Sequence, residues 1–208
     1  MKPLDALIRQ YVKPVVKGEN ANIAKRTVRV SASSGDRAFI EFTQHFVDPD
    51  KTVFDVTLHI APVSYWEWLN RQHADAGLAP DGRGALASRA VMPPKGVAWD
   101  PDPEGFFPSR WAFLDEGIDA CGELLAQELE RSVFPLARHL LNRSALLEEM
   151  KNPSAPTVLR MSPIMQEIVL IIDDYPEEQV SQLLVSAEES GTPASFVEWA
   201  RRRLALRP

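Results

Sequence analysis

Between Val28 and Ile60, apolar residues recur at every second position in three consecutive stretches, and nothing else in the chain restricts its fold as much. Val28 and Val30 alternate with Arg29 and Ser31. Ile40, Phe42 and Phe46 alternate with Glu41, Thr43 and His45, and Phe54, Val56, Leu58 and Ile60 with Asp55, Thr57 and His59. A period of two places successive side chains on opposite faces of a strand, so each stretch predicts a half-buried β-strand. The links Ser33-Ser34-Gly35-Asp36 and Asp48-Pro49-Asp50-Lys51 are too short to return a parallel strand. The expected unit is an antiparallel meander with one apolar face.

Register follows from the same pattern. If the second and third strands share a buried face, even-numbered residues must oppose even-numbered ones, since a slip of one residue exchanges the faces. Centring the link predicts Phe46 opposite Phe54, Gln44 opposite Val56, Phe42 opposite Leu58 and Ile40 opposite Ile60. On the polar face His45 then meets Asp55, Thr43 meets Thr57, and Glu41 meets His59. Two imidazoles and two carboxylates at this spacing form a donor set suited to a divalent metal or to acid–base work, which makes Glu41, His45, Asp55 and His59 the candidate metal ligands. Cross-strand pairing on a flat solvated face accounts for the same four residues without any chemistry.

Helical periods flank the strands. Leu4, Leu7, Ile8, Tyr11 and Val12 repeat at three and four, with Pro14 and Gly18 as stops. Ser64 is placed to cap a short helix through Tyr65, Trp66 and Trp68, whose aromatic rings suit packing over the sheet. A long helix spans residues 116–150 on the stripe Ile118, Cys121, Leu125, Leu129, Val133, Leu136 and Leu140, with a kink expected at Pro135. After a linker near Asn152-Pro153-Ser154-Ala155-Pro156, the prolines Pro163, Pro176 and Pro193 each mark a helix start. The expected fold is therefore α+β. An antiparallel meander has one face covered by the N-terminal helix and the long helix, and a C-terminal helical appendage follows. The domain reading is an α+β unit over residues 1–150 and a three-helix appendage over 157–208 packed on it. Residues 77–110 form a Pro/Gly-rich loop without periodicity, relieved by short strands expected at Ala90–Met92 and Val97–Trp99. Trp99, Phe106, Phe107 and Trp111 flank it and are the candidate binding residues, although anchoring of the loop onto its own domain explains them equally well.

Composition narrows the function classes. A net charge of −6 argues against a binder of nucleic-acid backbones. The charge is uneven: residues 116–208 carry nine Lys/Arg against fifteen Asp/Glu, a balance that favours a basic partner. Cys121 stands alone on an apolar stripe, which excludes an intrachain disulfide and a thiolate metal cage. No apolar run approaches the length of a membrane span, and the start of the chain lacks a signal-peptide core, so a cytoplasmic location without membrane contact is expected. Gly82-Arg83-Gly84 lacks the setting of a dinucleotide loop, and no phosphate-loop lysine, His-Glu-x-x-His helix, nucleophile elbow or zinc pattern occurs. No cofactor is expected.

One resemblance adds to this. The Phe42-Thr43-Gln44 strand, the Phe54…Leu58-His59-Ile60 strand ending at Pro62, the Arg89 loop and Ser109-Arg110-Trp111-Ala112-Phe113 occur in that order. Phe134-Pro135-Leu136-Ala137 and Ser144-Ala145-Leu146-Leu147 then close the long helix. Over about residues 1–150 this order resembles a bacterial family of unknown function, similar in character to the small immunity proteins of polymorphic toxin systems. The family has a strand with paired tryptophans, of which Trp111 alone is present here. The resemblance implies a non-enzymatic protein that binds another protein, with a basic toxin domain as the expected partner. It implies no catalytic residue. Two other readings stand beside it: a metal-assisted hydrolase using His45, Asp55, His59 and Glu41, and a small-molecule sensor with its pocket between the sheet and the long helix.

Overall fold

The computed structural model describes residues 2–48, 50–71, 79–100 and 108–207, with the side chains of 46–48 outside the description. Strands β1 (Asn22–Ala24), β2 (Thr27–Ser31), β3 (Arg37–Asp48) and β4 (Lys51–Ala61) form an antiparallel meander. Beyond it the sheet forks. β5 (Ala87–Ala90) pairs with β4 along Thr57–Ile60, and β7 (Arg110–Leu114) pairs with the same edge along Lys51–Phe54. β6 (Ala98–Trp99) continues from β7, and β8 (Val158–Leu159) continues from β5. The short strands expected in the 77–110 loop thus lie at Ala87–Ala90 and Ala98–Trp99. β8 comes from the linker to the tail, which has no strand periodicity to announce it.

The β3–β4 register differs from expectation by two residues. Ile40 opposes Leu58, Phe42 opposes Val56, Thr43 opposes Asp55, and Gln44 opposes Phe54. Only two residues separate the strands, and the ladder shifts between His45 and Asp48, where two residues of β3 oppose one of β4. A shift of two leaves every side chain on its expected face. Phe42 and Leu58 are accordingly each only 2% exposed. The expected pairing of Phe46 with Phe54 is replaced by that of Gln44 with Phe54.

Each of the two long helical segments passes a proline by widening. The N-terminal one runs as α1 (Pro3–Leu7), a π turn (Ile8–Val12) and α2 (Lys13–Gly18), so Pro14 does not end it. The other runs as α4 (Ile118–Glu128), a π turn (Leu129–Val133) and α5 (Phe134–Leu140), which contains Pro135. A helical proline lacks the N–H and crowds the carbonyl four residues back, here Gln10 or Arg131. The wider turn around that carbonyl relieves the clash. The expected long helix is therefore not one rod: α6 (Arg143–Lys151) starts afresh, with the Asn142 side chain accepting from the Ala145 N–H at 3.1 Å. Cys121, Leu125, Leu129, Val133 and Leu140 are buried as the stripe requires.

The helices α3 (Val63–Leu69), α7 (Pro163–Ile171), α8 (Glu177–Glu189) and α9 (Ala194–Ala205) complete the fold. Ser64 does not cap α3. Its hydroxyl donates to the Val169 carbonyl at 2.7 Å, while the Asp36 carboxylate accepts from the Val63 N–H at 2.8 Å. Trp68 packs on the tail rather than the sheet, edge-on to Phe196 at 5.1 Å. Pro163 opens α7 as expected, whereas Pro176 and Pro193 sit one step earlier, as the caps of α8 and α9. Gly191, at φ 77°, supplies the left-handed residue that ends α8.

One apolar cluster holds Phe42 and Leu58 of the sheet, Leu125 of α4, and Ile168, Leu184 and Phe196 of the tail. Burying such a side chain stabilises the fold by about 1.5–3 kcal/mol relative to leaving it in water. A chain of charges runs beside that cluster. Asp36, in the β2–β3 link, accepts two hydrogen bonds from Arg143 of α6, at 2.7 and 2.9 Å. Arg143 reaches Asp173 at 2.6 Å, Asp173 accepts two bonds from Arg203 of α9 at 2.7 and 2.9 Å, and Arg203 also bonds Glu67 of α3. These five residues tie the sheet to the tail.

Candidate functional site

The odd-numbered face of β3 and β4 carries the four candidate ligands, and they separate into two rows. In the first row His45 Nε2 lies 2.7 Å from Asp55 Oδ2, and the other carboxylate oxygen of Asp55 is 3.3 Å from Arg110 Nε on β7. The Arg110 guanidinium in turn sits 5.9 Å from the ring centre of Trp99 on β6, a cation–π distance. In the second row His59 Nε2 is 3.4 Å from Glu41, and His59 Nδ1 is 2.8 Å from the Ser88 hydroxyl on β5. Both carboxylate–histidine pairs lie on the diagonal, because the strands are shifted by two residues.

Burial pushes the His59 imidazole below its ordinary value, and Arg160 adds to the effect. The pull of Glu41 in the opposite direction is smaller, so the His59–Glu41 contact is that of a neutral ring near pH 7. Glu41, His59 and Ser88 have the composition of a nucleophile relay. Ser88, however, lies within a strand paired on both sides, with His59 on β4 and with Val158 on β8. The amides around it are committed to the ladder, leaving no pair of donors to stabilise an oxyanion. Among the described residues no group of three or more His, Cys, Asp or Glu side chains converges as a metal site would require. The four expected ligands are thus brought together two by two.

The aromatic candidates divide as well. Trp111 is fully buried: its indole N–H donates to the Val91 carbonyl at 2.8 Å, and its ring stacks on Phe54 at 6.3 Å. It anchors the loop to the core and does not belong to an exposed surface. Trp99 is half-buried at the end of the first polar row. Phe106 and Phe107 lie outside the described residues. Cys121 is buried and its thiol is pushed up to about 12 by desolvation, which makes it a poor nucleophile. The space between the sheet and α5–α6, where a sensor would hold its ligand, measures about 10 Å³, roughly a single water.

Periodicity missed a broad concavity. A groove of about 830 Å³ runs along the outer edge of β3, floored by Phe42, Thr43 and Gln44. The N-terminal helix walls it with Ile8, Arg9 and Lys13, and the two-residue β1–β2 turn walls it with Lys25 and Arg26. β2 pairs with β3 only as far as Thr27 opposite Glu41, and the Phe42 N–H donates to the Arg26 carbonyl at 2.9 Å. Among the described residues no strand pairs with this edge of β3 beyond that point. Gln44 is left with a buried side-chain oxygen that has no hydrogen-bond partner, a cost of about 1–3 kcal/mol when such a group goes unmet. Lys25, a lining residue of the groove, stands at φ 54°, a conformation that disfavours side chains. The only sequence signal is the difference in length between the first and second alternating stretches.

The fold and these surfaces define an α+β protein with a forked, open antiparallel sheet, a paired polar face and an unpaired strand edge. Among the described residues no helix is long and apolar enough to cross a membrane. No protein-family model, curated protein or solved structure matches the chain.

Proposed function

We propose that this chain is a non-enzymatic protein that acts by engaging another protein, in the manner of an immunity protein. The supporting observation is the open groove beside the unpaired length of β3: an exposed strand edge is a template for another chain, and folds ordinarily cover, charge or shorten such edges. The adjoining polar face supports the same reading. Its titratable groups are satisfied in pairs across a sheet surface, with the half-buried Trp99 at one end, as suits a contact patch better than a reaction cleft. The net charge of −6 would speed encounter with a basic partner, and a toxin domain is the partner class that the resemblance of residues 1–150 suggests.

A photo-crosslinking residue placed at Thr43, on the groove, and in a second variant at Gln179, on α8, tests this in the source cells. The expected result is one discrete protein adduct from Thr43 and none from Gln179. No adduct at Thr43, or identical adducts from both positions, would overturn the proposal.

A further inference from the structure

We infer that the β3 edge takes up an acidic, extended segment of the partner as an added strand. This rests on the groove being the protein-binding site.

The backbone sets the mode of binding. In a strand the N–H and C=O of one residue point to the same side, and the side alternates along the chain. Phe42 directs its N–H away from β4, to the Arg26 carbonyl. Two residues on, Gln44 directs its N–H and C=O the same way, past the end of β2 and into the groove. β3 continues to Asp48, regular as far as His45 and irregular beyond it, so the edge beyond Phe42 spans six residues, at most about 20 Å at the rise of a strand. That length accommodates a segment of six or seven residues held by main-chain hydrogen bonds, the mode of strand addition.

Charge sets the kind of segment. Six ionisable residues line the groove: Asp5, Arg9, Lys13, Lys25, Arg26 and Glu41. Asp5 and Arg26 neutralise each other at 2.7 Å, and Glu41, turned to the neutral His59 on the polar face, is the one carboxylate in the lining that keeps an uncompensated charge against three cations. Arg9, Lys13 and Lys25 remain, exposed and with no ion pair among the described residues. On a protein whose net charge is −6, this is a local reversal of sign. The docking segment is therefore acidic whatever the charge of the protein that carries it, with carboxylates spaced to meet cations on the helix wall and on the β1–β2 turn.

The probe is a capped heptapeptide of alternating Val and Glu, labelled for fluorescence anisotropy. It is compared with a Val and Lys counterpart, and with a Val/Glu peptide N-methylated at alternate residues so that one edge cannot donate. Expected are binding of the Val/Glu peptide alone, about tenfold weakening in K13E/K25E, which changes only exposed side chains, and slowed exchange of the Gln44 amide in the complex. Equal binding of the N-methylated peptide overturns strand addition, and equal binding of the Val/Lys peptide overturns the charge argument. Absence of binding overturns both, as does a dimer in sedimentation velocity that blocks the edge with a second copy. The crosslink at Thr43 separates this inference from its premise: an adduct that the Val/Glu peptide fails to compete away leaves protein binding intact and refutes the acidic strand.

Discussion

Replacing Arg143 with methionine removes the cation from the least exposed ion pair among the described residues. Arg143 is 10% exposed and Asp36 2%. The acid holds the guanidinium protonated, since hydrogen bonds and charge from Asp36 and Asp173 together outweigh the cost of burial. In R143M the Asp36 carboxylate keeps only the Val63 N–H, while Asp173 keeps both bonds to Arg203. The buried Asp36 carboxylate loses its hydrogen-bonded cation and keeps only the longer-range attraction of Arg203, and removing a partner in this way costs about 3–5 kcal/mol. At roughly 2–4 °C per kcal/mol for a chain of this size, Tm should fall by about 6–20 °C. The double variant D36N/R143M has no orphaned charge, and its asparagine oxygen still accepts from Val63, so the loss should shrink to about 1–3 kcal/mol. Urea unfolding of wild type, both single variants and the double variant measures the coupling. Added salt should change it little, because the pair is shielded from solvent. A loss below about 1 kcal/mol in R143M, or a double variant no more stable than R143M, would refute the role given to this network.

Two further outcomes follow from packing and from titration. A β-carbon at Gly122 would lie 2.1 Å from Cδ2 of Tyr11, so G122A must displace the ring and break the 2.5 Å bond from Tyr11 to Asp119. The expected cost is about 1–3 kcal/mol, and the phenol, held at about 12 chiefly by that bond, should ionise nearer its ordinary value in an ultraviolet titration. Wild-type stability with an unchanged titration would count against the helix contact. His59 has its folded pKa depressed by burial, so the folded state binds fewer protons than the unfolded state as pH drops. Its stability contribution is complete above the ordinary histidine value, about 6.5, and is lost as pH falls through the folded value. H59Q should flatten the stability–pH curve in that window. Parallel curves for the two proteins would contradict the burial of a neutral ring.

Side-chain parity was legible in the sequence because it is a property of each strand alone. The alternation from Ile40 to Ile60 placed every described side chain of β3 and β4 on its observed face. Register was only half legible, because it depends on where the chain turns. Nothing in Asp48-Pro49-Asp50-Lys51 announces the irregularity beyond His45 that moves Phe42 from Leu58 to Val56. The helices repeat the lesson: their apolar stripes were readable, but whether Pro14 and Pro135 end a helix or widen it depends on packing that sets Tyr11 against Gly122.

The site was less legible than the fold, for a reason that bears on where function should be sought. Glu41, His45, Asp55 and His59 have residue types that suggest chemistry, yet two rows of satisfied pairs need no further partner. The β3 edge carries no distinctive side chain, since what is unsatisfied there is chiefly backbone, and every residue but proline has the same backbone. It becomes visible only when the end of β2 at Thr27 is set against the length of β3, and when Arg9, Lys13 and Lys25, from two separate elements, are seen along one groove. A strand that outruns its neighbour is a relation between two segments. On this chain that relation, more than any motif, marks where a partner has hydrogen bonds still to make.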